Sequence, residues 1–186
     1  MASFLGAGES SVYLREQATE TNVKALPLKS SRVIAFATHG LLSGELTGLA
    51  EPALVLTPPA VGTEQDDGLL TASEIAQLDL NAEWVILSAC NTAGGDEPGA
   101  QGLSGLAKAF FYAGARALLV SHWPVESGAA TALTTRMFAE RANDPSIGRA
   151  EALRRSMMAL ASNDNQPHYA HPVFWAPFVV IGEGGT

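Results

Sequence analysis

The stretch Val33-Ile34-Ala35-Phe36-Ala37-Thr38-His39-Gly40 decides the fold. Four apolar residues give way to small and polar ones, the pattern of a short buried strand that ends abruptly. A second run, Trp84-Val85-Ile86-Leu87-Ser88-Ala89-Cys90-Asn91-Thr92, has the same form. Runs apolar on both faces suit the interior strands of a parallel sheet covered on both sides. In open α/β sheets, ligands bind beyond the carboxyl ends of such strands. Here the first run delivers His39 and the second delivers Cys90, the chain's one cysteine.

Working outward, strand and helix patterns alternate. Ser11-Val12-Tyr13-Leu14 reads as a short strand, and residues 19–26 as a helical turn or two that stops near Pro27. A polar, Pro- and Gly-rich excursion covers residues 41–67, within which Ala53-Leu54-Val55-Leu56-Thr57 alternates like half of a hairpin and Gly68-Leu69-Leu70 is its partner. Thr71-Ala72-Ser73-Glu74 fits a capping box opening a short helix that runs to Leu78. A strand over 84–89 leads into a glycine-rich loop at 91–102 and a helix at 103–113, which Gly114 ends. Then come a strand at 117–120, helices near 127–142 and 147–160, a polar turn at 162–167 and a last strand at 178–181. This order predicts one α/β domain with a mostly parallel sheet and helices on both faces.

Composition narrows the function classes. At 186 residues with 47% hydrophobic and 16% charged, the chain has material for one core. The net charge of −8 argues against a phosphate-binding surface, so no nucleic-acid partner is expected. The densest basic group, Arg149, Arg154 and Arg155, reads as a solvated helix face. One cysteine makes no internal disulfide, and neither a signal peptide nor a membrane-length apolar run is present. A soluble, cytoplasmic protein with no membrane partner is expected.

The His and the Cys admit two readings from the residues alone. One is an inert buried thiol and a turn histidine. The other is a thiolate–imidazole pair, since a thiol attacks an acyl carbon only once its proton has gone to a base. Gly40 and the loop after Cys90 leave backbone N–H groups free to face a developing oxyanion. His122 has no evident partner, and His168 and His171 match no strong metal-ligand spacing. Trp123 and Trp175 read as core or rim packing, and Gly6-Ala7-Gly8 lacks the third glycine of a dinucleotide fingerprint.

At these residues the sequence resembles the CHAT domain, a caspase-like peptidase domain related to separase and commonly attached to tetratricopeptide repeats. Phe36-Ala37-Thr38-His39-Gly40 resembles the family's His motif and Leu87-Ser88-Ala89-Cys90-Asn91-Thr92 its Cys motif. The segment Leu14-Arg15-Glu16-Gln17-Ala18-Thr19, the intervening Asp67-Gly68-Leu69-Leu70-Thr71-Ala72-Ser73-Glu74-Ile75, and Ser121-His122-Trp123-Pro124-Val125-Glu126 fall in the family's order. So do Ala170-His171-Pro172 and Phe174-Trp175-Ala176.

The resemblance implies a caspase-like three-layer sandwich and a cysteine endopeptidase in a regulated prokaryotic signalling or defence setting. His39 would be the base, Cys90 the nucleophile, and the backbone N–H groups of Gly40 and Cys90 the oxyanion donors. No metal or other cofactor is implied, because the reaction runs through a thioester, and no Asp or Asn stands out as a third member. Glu126 occupies the family's usual Asp position and is a candidate for selecting a basic P1 residue; its other reading is a cap on the positive end of the helix that follows. Protein or peptide substrates and a regulatory repeat domain are the implied partners. The family's domain begins well before the segment that Met1 opens, so residues 1–186 are expected to lack a first central strand between the segments 11–14 and 33–38. An unfilled gap predicts an exposed sheet edge and self-association. The competing function is an inactive CHAT module serving as an interaction domain.

Overall fold

The computed structural model describes residues 8–63, 65–87 and 105–185. The first helix, α1 (Glu20–Ala25), is capped by the Thr19 side chain, which accepts from Asn22 N at 3.2 Å, and Pro27 follows its end. Next comes β1 (Val33–Phe36), and the chain crosses at once into a small antiparallel sheet. That sheet has the order β2 (Gly40–Leu41), β3 (Ala53–Val55), β4 (Leu69–Thr71). The predicted hairpin is formed, with Leu54 opposite Leu70. The capping box is also formed: Thr71 Oγ1 accepts from Glu74 N at 3.4 Å and Glu74 Oε2 accepts from Thr71 N at 2.9 Å, opening α2 (Ala72–Ile75).

The main sheet continues with β5 (Trp84–Leu87), then α3 (Gly105–Tyr112) and β6 (Ala117–Ser121). Two long helices follow, α4 (Ser127–Asn143) and α5 (Arg149–Ala161), and β7 (Phe178–Gly182) closes the order β1-β5-β6-β7. The first three strands are parallel and β7 is antiparallel to β6. Alternation along β5 feeds two cores. Val85 and Leu87 face Phe36, Leu106, Phe110 and the small sheet's Leu54 and Leu70, while Trp84 and Ile86 face Leu133, Met137 and Leu153 of α4 and α5. Helices thus cover both faces, as a caspase-like sandwich requires. Gly114 ends α3 at φ +107°, and a Cβ there would lie 2.4 Å from the Leu80 carbonyl oxygen.

A buried carboxylate ties α1 to the chain ahead of β4. Glu20, only 1% exposed, accepts from Lys24 Nζ at 2.5 Å and from the backbone N–H groups of Asp67 and Gly68 at 3.1 and 3.3 Å. Thr21 adds bonds from its N and Oγ1 to Asp66 Oδ2. Burial pushes the Glu20 carboxyl above its ordinary range, and Lys24 opposes that shift.

Two expectations are corrected. Residues 11–14 form no strand: Val12 and Leu14 are extended, but they lie between two 3-10 turns and pair with nothing in either sheet. Extended backbone becomes a strand only when a neighbour supplies the ladder. Arg149 is not on a solvated face. It is 6% exposed, stacks its guanidinium 5.4 Å from the Trp84 ring and donates to the Glu183 carbonyl. Arg154 and Arg155 are the solvated pair, both bonded to Glu151. Among the described residues β1 has a partner on one edge alone.

Candidate active site

The site is built where the carboxyl ends of the parallel strands meet the small sheet. In the β1–β5 register Phe36 stands beside Leu87. His39 follows Phe36 by three residues, and Cys90 follows Leu87 by three in the sequence but lies outside the described residues, as does the loop at 91–102. His39 is exposed, and its carbonyl accepts from Val55 N at 2.8 Å.

That bond also sets the direction of Gly40. In an antiparallel pair, hydrogen-bonded and non-bonded positions alternate. His39 and Val55 occupy a bonded position, so Gly40, opposite Leu54, occupies a non-bonded one and its N–H is directed away from β3. An exposed imidazole next to an outward-directed backbone N–H can take a proton at one atom and stabilise an anion at the other. Thr38 carries no signal of its own in the sequence, yet its hydroxyl donates to the Val55 carbonyl. No local pattern could reveal that contact, because its partner is 17 residues away.

At the end of β6, His122 is exposed and its backbone N–H donates to the Pro177 carbonyl at 3.0 Å. Trp123 lies at the rim, 38% exposed, with Nε1 donating to the Val173 carbonyl at 3.1 Å. Trp175 is partly buried against the second core. Glu126 is the N-cap of α4. Its carboxylate accepts from Gly128 N at 3.0 Å, Ala129 N at 2.9 Å and the Tyr169 hydroxyl at 2.9 Å. The Ala129 and Gly128 N–H groups, with Tyr169, hold Glu126 below the usual carboxylate range, and Glu126 in turn pushes the Tyr169 phenol up. Gly128 suits this turn, because a Cβ there would fall 2.8 Å from Glu126 Oε1.

The remaining histidines pack before the last strand. His168 rests 4.3 Å from the Tyr169 ring and 5.5 Å from Phe174, and His171 Nδ1 accepts from Val173 N. Among the described residues no group of three or more metal-ligating side chains assembles, and no helix is long and apolar enough to cross a membrane.

Tetratricopeptide repeat protein 28 of Mus musculus is 32% identical over 114 residues, covering 61% of this chain and 4% of that protein. Its counterpart of the same name in Homo sapiens is 31% identical over 114 residues, with the same coverage of each chain. This chain therefore spans a small fraction of the length of those relatives. The family model of the CHAT domain matches residues 1–183, from before α1 to the end of β7. With that match over nearly the whole chain, it belongs to the CHAT domain family, which is related to the caspase-like cysteine peptidases.

Proposed function

We propose that this chain is a cysteine endopeptidase working through a His39–Cys90 dyad. The observation that carries the reading is the pairing of Phe36 with Leu87 in neighbouring parallel strands, each three residues ahead of a dyad member. The carboxyl ends of neighbouring parallel strands are where ligands bind in such sheets, which supports a shared rim for the two residues. His39 takes the proton of the Cys90 thiol, and the thiolate attacks the scissile carbonyl carbon. The tetrahedral oxyanion is held by the N–H groups of Gly40 and Cys90. Collapse expels the amine, which leaves with the proton from His39, and a thioester remains. Water, deprotonated by His39, then attacks the thioester, releasing the acid and restoring the thiol. Glu126 supplies a fixed negative charge near the rim that favours a basic P1 residue. The repeat proteins among the relatives suggest a helical-repeat domain as regulatory partner.

The test is labelling by an electrophilic peptide probe, read by mass spectrometry. Cys90 is expected to be modified at least tenfold faster than a free thiol, with the excess lost in His39→Ala. Labelling no faster than a free thiol in the intact chain would overturn the dyad and leave the family's fold as an interaction module.

A further inference from the structure

We propose that Thr38 is a positioning residue that sets the direction of the His39 imidazole; the proposal rests on the dyad reading above. Between Phe36 and Gly40 the chain leaves one sheet and enters the other, so residues 37–39 bridge the two. Val55 grips that bridge twice. Its N–H donates to the His39 carbonyl at 2.8 Å, and its carbonyl accepts the Thr38 hydroxyl. In a regular antiparallel pair the second bond would come from the N–H of His39. Here a side chain one residue earlier takes that carbonyl, which fixes the backbone on both sides of the Thr38–His39 peptide.

His39 is exposed, and no hydrogen bond joins its ring to the other described residues. Where the ring can reach is set by the backbone that carries it, which the Thr38–Val55 contact holds. The hydroxyl is the group that makes this contact, and serine carries the same one. Proton transfer from a thiol needs heavy atoms within about 3.2 Å, so a small turn of this bridge changes the fraction of Cys90 held as thiolate.

The experiment measures the pH–rate profile for alkylation of Cys90 by iodoacetamide in the intact chain and in Thr38→Ser, Thr38→Val and His39→Ala. We expect Thr38→Ser to follow the parent. Thr38→Val is expected to lose roughly tenfold in rate on the acidic limb, moving toward His39→Ala, in keeping with the cost of small misplacements. Its Tm should stay within a few degrees of the parent, and Thr38→Ala serves as the hydroxyl-free variant if Thr38→Val does not fold. A profile unchanged by His39→Ala overturns the dyad itself. A profile moved by His39→Ala but not by Thr38→Val overturns the positioning role alone. Loss in Thr38→Ser equal to that in Thr38→Val also overturns it, because the hydroxyl would then not be the operative group.

Discussion

Glu126 caps α4, and the proposed choice of a basic P1 residue would rest on the same carboxylate; a substitution separates the two. As N-cap it receives the first free N–H groups of α4 together with the Tyr169 hydroxyl. Glu126→Gln keeps the shape but puts an NH2 where one acceptor stood, so a donor of Gly128, Ala129 or Tyr169 loses its partner. Tm is expected to fall by roughly 2–5 °C, and cleavage of a peptide library should shift away from basic P1 residues. A lower Tm with an unchanged P1 preference would restrict Glu126 to its cap. At this scale the sequence was legible where a residue's neighbours in the chain decide its role. Thr71 and Glu74 form their box from spacing alone, and His39 stands at its strand end as its motif indicates. The Thr38–Val55 and Glu126–Tyr169 contacts were not legible, because each joins residues that only the folded topology brings together.

Among the elements, α5 shows why a run of charges does not reveal its own face. Ala152, Leu153, Ser156 and Leu160 are buried with Arg149, which heads the apolar stripe one turn ahead of Leu153. Arg154 and Arg155 flank that stripe and fold onto Glu151 at 2.7 and 2.9 Å. Those two guanidiniums hold the Glu151 carboxyl at about 2. Its folded value lies below the ordinary 4.5, so its contribution to stability is present above pH 4.5 and is lost as pH falls toward 2. Unfolding measured across that window should show a shallower decline for Glu151→Gln than for the parent. The difference should shrink in 0.5 M salt, since the pair is exposed. Equal declines in both proteins would refute the assignment. The strands teach a related lesson. β1, β5, β6 and β7 were readable because burial on at least one face leaves an apolar run, whereas the segment at 11–14 had the composition of a strand and no partner to make it one.

At the scale of the whole molecule, the layered architecture followed from the alternation of short apolar runs with amphipathic helices, and both cores are where that alternation places them. The small antiparallel sheet was half visible, as a hairpin. Its third strand, β2, is two residues long, too brief for any periodicity to register. The order of strands also left one edge of β1 without a partner among the described residues. Arg32, just before that strand, is folded back on Glu83 through two bonds of 3.0 Å and does not guard it. The Arg32 carbonyl accepts from Trp84 N, so by alternation Ile34 and Phe36 turn their amides toward β5, while Val33 and Ala35 turn theirs outward. In dilute D2O the four amides of β1 should therefore exchange in a two-beat rhythm, slow at Ile34 and Phe36 and fast at Val33 and Ala35. Equal protection of all four in dilute solution would mean that the edge is already covered. A rhythm that fades only as protein concentration rises would time the arrival of a second molecule on that edge.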